Sequence, residues 1–108
     1  MGQTFDSLIE CERYKYLKAL EQQKVISHLQ RQVRYTLIPS QIDPKTQKTI
    51  EREITYIADF VYQKGSQTIV EDVKGMRTDI YKIKRKLMLY FHNIKIKEVT
   101  KESSSWKV

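Results

Sequence analysis

The chain has 108 residues, enough for one domain and too few for two. Hydrophobic residues make up 40% and charged residues 31%, the balance of a globular chain rather than a disordered or fibrous one. Twenty Lys and Arg against 13 Asp and Glu leave a net +7, which favours a polyanionic partner, most often nucleic acid; the single cysteine, Cys11, excludes an internal disulfide framework and a cysteine-rich zinc site.

No apolar run approaches the ~18 residues of a membrane span. The segment Met1-Gly2-Gln3-Thr4-Phe5-Asp6 has neither the basic nor the apolar region of a signal peptide. Together with the lone thiol, this points to a reducing cytoplasm and to no membrane partner.

The first predicted element is a helix from about Ser7 to Gln22. Ser7 followed by Glu10 has capping-box spacing, and Ile9, Arg13, Tyr16, Leu17 and Leu20 fall on one stripe. Glu10 sits at the edge of that stripe. A short extended piece, Val25 to Leu29, precedes Gln32 to Pro39, which alternates Val, Tyr and Leu with Arg and Thr as a half-buried strand does. Ser40 to Lys48 reads as a loop or hairpin tip. Ile54 to Tyr62 is a β-branched and aromatic strand, Lys64-Gly65-Ser66 a turn, and Thr68 to Lys74 a further strand ended by Gly75. Asp79 to Phe91 is a second helix with an apolar stripe of Ile80, Ile83, Leu87 and Phe91. Ile94 to Val99 is the last strand, and residues 100–108 form a polar, flexible tail. The expected fold is α/β (α+β): one domain over residues 1–99, a mixed sheet flanked by helices.

Asp59 is the anomaly of the chain. It interrupts the apolar run Tyr56-Ile57-Ala58-Asp59-Phe60-Val61-Tyr62, where an ionised carboxylate is costly unless paired or bound to a metal. Asp72 and Lys74 repeat the anomaly on the next strand, sharing one face, while Glu71 shares the other with Ile69 and Val73. The intervening turn makes the two strands neighbours, so Asp59 can meet Asp72 and Lys74. Two carboxylates and a lysine suit a hard divalent cation such as Mg²⁺ or Mn²⁺, with Glu10 as a third acid. A structural salt bridge from Lys74 to Asp59 or Asp72 accounts for the same residues.

An acid on a first helix, Asp on one strand and (Asp/Glu)-x-Lys on the next, then a helix and a strand, resembles the PD-(D/E)XK nuclease superfamily. The matching stretches are Phe5-Asp6-Ser7-Leu8-Ile9-Glu10-Cys11-Glu12-Arg13-Tyr14, Tyr56-Ile57-Ala58-Asp59-Phe60 and Val70-Glu71-Asp72-Val73-Lys74-Gly75. With the last helix and strand, the resemblance spans roughly residues 5–99, and it is closest to small phage and prophage members that include Holliday-junction resolvases. It implies a restriction-endonuclease-like core of helix, three strands, helix and strand. It also implies Mg²⁺- or Mn²⁺-dependent cleavage of DNA, with Glu10, Asp59, Asp72 and Lys74 as the catalytic set and the three acids as metal ligands. Ala58 stands where the family motif often has Pro. Asp72 stands where Glu is more usual, so Glu71 and Glu12 remain alternatives to Asp72 and Glu10.

A nuclease needs cations around its site to hold phosphates. Residues 71–108 carry ten Lys and Arg against five acids. Arg77, Thr78, Lys82, Lys84, Arg85 and Lys86, with Arg34 and Gln32 from the first strand, are the candidate DNA contacts; a solvated helix face is their other reading. His28 and His92 lack metal-ligand spacing, and Cys11 lies among acids that disfavour a thiolate. No Gly-rich phosphate loop or G-x-S-x-G elbow is present. The expected activity is therefore structure-selective DNA cleavage in phage or prophage DNA processing, in the bacterial host cytoplasm. A homodimer is expected because symmetric cutting of a junction needs two sites. The alternatives are a DNA-binding module that keeps the fold without the chemistry, and a small protein-interaction factor.

Overall fold

The computed structural model describes residues 7–74 and 77–108. Helix α1 (Leu8–Gln22) leads into the long strand β1 (Ser27–Ile38). A two-stranded ribbon follows, β2 (Gln41–Ile42) and β3 (Thr49–Glu51), and then the hairpin β4 (Ile54–Lys64) and β5 (Gln67–Val73). Helix α2 (Asp79–His92) crosses over to β6 (Lys97–Val99), and a 3₁₀ turn spans Ser104–Trp106. The main sheet has the order β1-β4-β5-β6, antiparallel except for the β5–β6 pair. This is an α+β domain with two helices and a mixed four-stranded sheet flanked by helices, as the residue pattern predicts. No helix among the described residues is long and apolar enough to cross a membrane. Gly75, expected to end β5, and residues 1–6 of the predicted domain lie outside the described residues.

Local chemistry sets the ends of the elements. Ser7 caps α1 by accepting from the Glu10 amide at 3.1 Å, as its spacing with Glu10 predicts. Thr78 caps α2 by accepting from the Tyr81 amide, and Asn93 ends it in the left-handed region at φ 54°. The β4–β5 loop has only Gly65 and Ser66 between paired Lys64 and Gln67, and Gly65 takes φ 62° where a II′ hairpin loop needs glycine.

Two cores lie on opposite faces of the sheet. On the α2 face Tyr56, Ala58, Val61, Val70, Tyr81 and Met88 pack together; on the α1 face Leu17, Ile26, Phe60 and Tyr62 do. Full burial of a side chain such as Leu17 or Met88 contributes roughly 1.5–3 kcal/mol. Tyr56 and Ala58 face α2, yet Phe60 and Tyr62 face α1, so the alternation of β4 slips by one residue at Asp59. The partner strand slips at the same level. Arg31 lies over the Tyr14 ring of α1, whereas Val33 packs on the α2 core, and Gln32 between them adopts φ 53°. Because both strands slip together, the β1–β4 register is the same on either side, with Arg31 opposite Phe60 and Val33 opposite Ala58.

Three expectations are corrected. Of the separate extended piece expected at Val25 to Leu29, Val25 and Ile26 are bends and the rest is the start of β1, which carries an irregularity between Ser27 and Gln30 and a positive φ at His28. Helix α2 is turned so that Tyr81 and Met88 are buried, leaving Ile80, Ile83 and Phe91 of the expected inner stripe exposed. Tyr81 is drawn inward because its hydroxyl donates to Glu98 on β6 at 2.7 Å. The terminal residues, expected to form a loose tail, pack against α1: the Trp106 ring stacks on Tyr16 with centroids 6.2 Å apart, and the Val108 amide donates to the Tyr16 hydroxyl.

The α1 core is organised by a fully buried ion pair. Arg13 donates from Nε and Nη2 to the two Glu71 oxygens at 2.9 and 2.6 Å. Tyr62 Oη donates to the same carboxylate, and Arg13 Nη1 donates to the Trp106 carbonyl. Every charged group is thus hydrogen-bonded, which is what makes burial of both tolerable. Replacing Arg13 alone with Met strands the Glu71 charge and is expected to cost about 3–5 kcal/mol in urea unfolding. The double change Arg13→Met with Glu71→Met removes the charge with its partner and is expected to cost less than half as much.

Candidate active site

The site is built where the sheet divides. Strands β4 and β5 are paired from Lys64 and Gln67 up to Phe60 and Glu71. Beyond that point β4 continues with β1 through Ile57, Tyr56 and Thr55, while β5 continues with β6 through Asp72 and Val73. One step further in the β4–β5 register sets Asp59 opposite Asp72, at the mouth of this fork. The Asp59 side chain bridges it, with Oδ2 accepting from the Val73 amide at 2.8 Å. A main-chain donor released by the end of the ladder is thereby satisfied by a carboxylate.

Each sequence-predicted acid has a definite place. Asp72 is buried on the α2 face, where Tyr56 Oη donates to its Oδ2. Lys74 Nζ forms an ion pair with Asp72 Oδ1 at 3.1 Å, and this buried oxygen has no other partner. The same ammonium sits 4.1 Å above the Tyr81 ring, a cation–π contact that fixes its position. Glu10 comes from α1, is 4% exposed, and its Oε1 accepts from Gln32 Nε2 at 3.0 Å. The slip at Gln32 therefore has a use: it turns an amide from β1 toward the helix acid.

The alternatives for the acids are also located. Glu71 belongs to the Arg13 pair on the opposite face of the sheet from Asp72, and Glu12 is on the surface with Lys101 Nζ at 2.6 Å. Glu71 stands at the last paired position before the fork, but its carboxylate is taken up by Arg13.

Electrostatics mark Asp59. Burial pushes its carboxyl up to about 7; the Val73 amide pulls the other way, and the charges of Asp72 and Glu10, with a carboxyl–carboxyl hydrogen bond to Glu10, add to the rise. Burial also raises Asp72, partly offset by Tyr56 and Lys74. Such clustering of acids in a desolvated place is the pattern found where carboxylates serve a cation or a proton transfer. Among the described residues, no group of three His, Cys, Asp or Glu side chains forms a ready-made metal cage. Magnesium does not require one, since it is held through one or two carboxylates and retains water or substrate oxygens. The donor set fits a hard cation: two aspartates on neighbouring strands, one with a buried oxygen met only by the Lys74 ammonium, and a glutamate hydrogen-bonded to the other.

The expected phosphate contacts are sorted differently from one another. Lys82 and Lys86 are exposed on α2, and Arg34 is exposed on β1. Lys84 and Thr78 line a groove of about 300 Å³ together with Lys74, Tyr56 and Tyr81. Arg77 and Arg85 are engaged: both pair with Glu98, at 2.8 and 2.9 Å. Burial alone would raise Glu98, but hydrogen bonds from Tyr81, Arg77 and Arg85 outweigh it and hold the carboxyl at about 2. Sequence reading missed Tyr56, Tyr81 and Glu98 as parts of the site. The tyrosines look like core residues, and the only signal for Glu98 was an acid set among the lysines of the last strand.

The raised Asp59 value gives a testable stability profile. Its folded value, about 7, exceeds the ordinary 3.8, so the folded chain holds a proton that the unfolded chain releases between those limits. This contribution is full below about pH 4 and is lost as pH rises through 7. Thermal melts in chelator are therefore expected to fall from pH 5 to pH 8. Asp59→Asn, whose amide oxygen can still accept from Val73, is expected to flatten that slope and gain about 1–2 kcal/mol at pH 8.

The family described as "Protein of unknown function (DUF1064)" matches residues 1–106, and the chain belongs to it. No curated protein and no solved structure matches the chain.

Proposed function

We propose that this member of the DUF1064 family is a Mg²⁺- or Mn²⁺-dependent endodeoxyribonuclease of the PD-(D/E)XK type. The observation that carries the reading is the meeting of Asp59, Asp72 and Lys74 at the mouth of a divided sheet, with Glu10 brought to Asp59 by α1. An ion-pair explanation alone accounts for Lys74 and Asp72. It leaves the buried Glu10 and the half-buried Asp59 as two acids set against each other at a net cost.

In this reading Asp59 and Asp72 hold the cation and Glu10 supports it from the helix side. The bound cation supplies Lewis acidity toward a phosphodiester and lowers the pKa of the attacking water. Lys74, held by Asp72 and by the Tyr81 ring, orients that water or stabilises charge developing on the phosphate. Lys82, Lys84, Lys86 and Arg34 hold the flanking phosphates, giving affinity that does not depend on sequence. Thr78 and the Glu98-bound Arg77 and Arg85 border this surface. So small a domain has little room for base-reading elements, so the substrate is a DNA structure, such as a branch or junction, met in phage or prophage DNA processing in the host cytoplasm. Symmetric cutting of a junction calls for two copies of the chain.

The test is a panel of labelled duplex, flap, fork and four-way junction incubated with Mg²⁺ or Mn²⁺. Cutting is expected in either metal and not in chelator. Asp59→Asn and Lys74→Met are each expected to lower the rate by about 10²–10³-fold while retaining salt-dependent binding. Binding without cutting of any substrate would make the chain a non-catalytic DNA module. Absence of salt-dependent binding would point to a protein-interaction role instead.

A further inference from the structure

Helix α2 and the start of β4 enclose a groove of about 400 Å³, within the ~300–1,000 Å³ range of small-ligand sites. Its walls are mostly aliphatic, Ile54, Ile80, Ile83 and Leu87, joined by Thr55, Lys84 and Glu53. Ile80 is 68% exposed, Ile83 58% and Ile54 40%. The groove shares Thr55, Ile80 and Lys84 with the smaller groove that contains Lys74, Tyr56 and Tyr81. The two grooves are thus continuous, and Lys74 of the candidate site and the outer side of α2 border one open surface.

The occupant is indicated by what borders this surface. Lys74 and Lys84 are both cations, and Lys82 and Lys86 extend the positive charge along α2. The groove therefore joins an apolar floor to an anion-attracting rim, the complement of a nucleotide, which carries a flat base on a phosphate. A base inside continuous duplex is stacked and paired and cannot enter; an unpaired base pays little to be turned out. Apolar side chains pack against the faces of a base that has left its stack.

We infer that this groove is a subsite for an unpaired nucleobase adjoining the scissile phosphate, so that the preferred substrate is DNA with single-stranded nucleotides at the cut. The inference rests on the nuclease reading and names its substrate class. Ile80 and Ile83 are the specificity-determining residues, and Lys84 holds the phosphate of the same nucleotide.

The experiment compares two DNAs of equal length in Ca²⁺: a continuous duplex, and the same duplex with a short flap carrying 2-aminopurine in its unpaired nucleotides. Wild type is expected to bind the flap about tenfold more tightly than the duplex and to change the 2-aminopurine emission. The variant Ile80→Ser with Ile83→Ser alters exposed positions, and its fold is checked by circular dichroism. It is expected to keep duplex affinity, to lose most of the flap preference, and to leave the emission unchanged. Equal wild-type affinity for both DNAs, or a preference that survives the substitutions, overturns the subsite while leaving the nuclease reading intact. Failure to bind either DNA overturns both. Sedimentation of the two proteins decides the remaining occupant: a wild-type dimer that the substitutions turn into a monomer would show the groove to be covered by a second copy.

Discussion

A strand that stays within one sheet shows alternate residues to alternate faces. Strand β4 keeps that rule on both sides of Asp59 and breaks it there. Tyr56 and Ala58 serve the α2 core, Phe60 and Tyr62 the α1 core, and Asp59 takes up the change. The same step is where β4 and β5 stop pairing. A released amide, a carboxylate in the plane of the sheet and an acid from each face are then brought to one place. Were β4 regular, Asp59 would have a single face to serve and could not stand between Glu10 on one side and Asp72 on the other.

The neighbouring acids Glu71 and Asp72 show how much one residue of alternation decides. Glu71 is met by a tyrosine hydroxyl and by a guanidinium that itself lies over the Tyr16 and Trp106 rings, so its charge is neutralised. Asp72 is met by one hydroxyl and one ammonium, a single partner on each oxygen. The first arrangement is complete in itself and works as structure. The second is held by fewer partners, one of them a partly exposed lysine, and it is on this contrast that the proposed chemistry stands.

The parts of the molecule legible in the residues were those set by local pattern. Ser7 and Glu10 marked the start of α1 and Gly65 the tight turn, and the placement of Asp59 and Asp72 in apolar strands singled out those two acids, although nothing in it marked the fork. The alternation separating Glu71 from Asp72 was legible for the same reason. What escaped was set by distant partners. The stripe Ile80, Ile83, Leu87 and the stripe Tyr81, Met88 lie a single residue apart on one helix, and their hydrophobicities do not choose between them. Glu98, on another strand, chooses by binding Tyr81 and Arg85. The terminal segment escaped because a polar composition hid one tryptophan whose carbonyl and ring both find Arg13. The slip at Gln32 escaped because nothing in a glutamine announces a left-handed backbone.

The span of the contacts made by Arg13 bears on how the chain reaches this state. Arg13 joins Glu71 across 58 positions and Trp106 across 93. Closing loops of that length costs chain entropy before any bond is made, whereas the β4–β5 hairpin closes through two residues. The order of assembly is therefore biased: the hairpin that carries Asp59 and Asp72 is the cheap nucleus, and the locking of α1 comes late. A nascent chain would hold its two aspartates face to face while the helix bearing Glu10 was still searching for its berth.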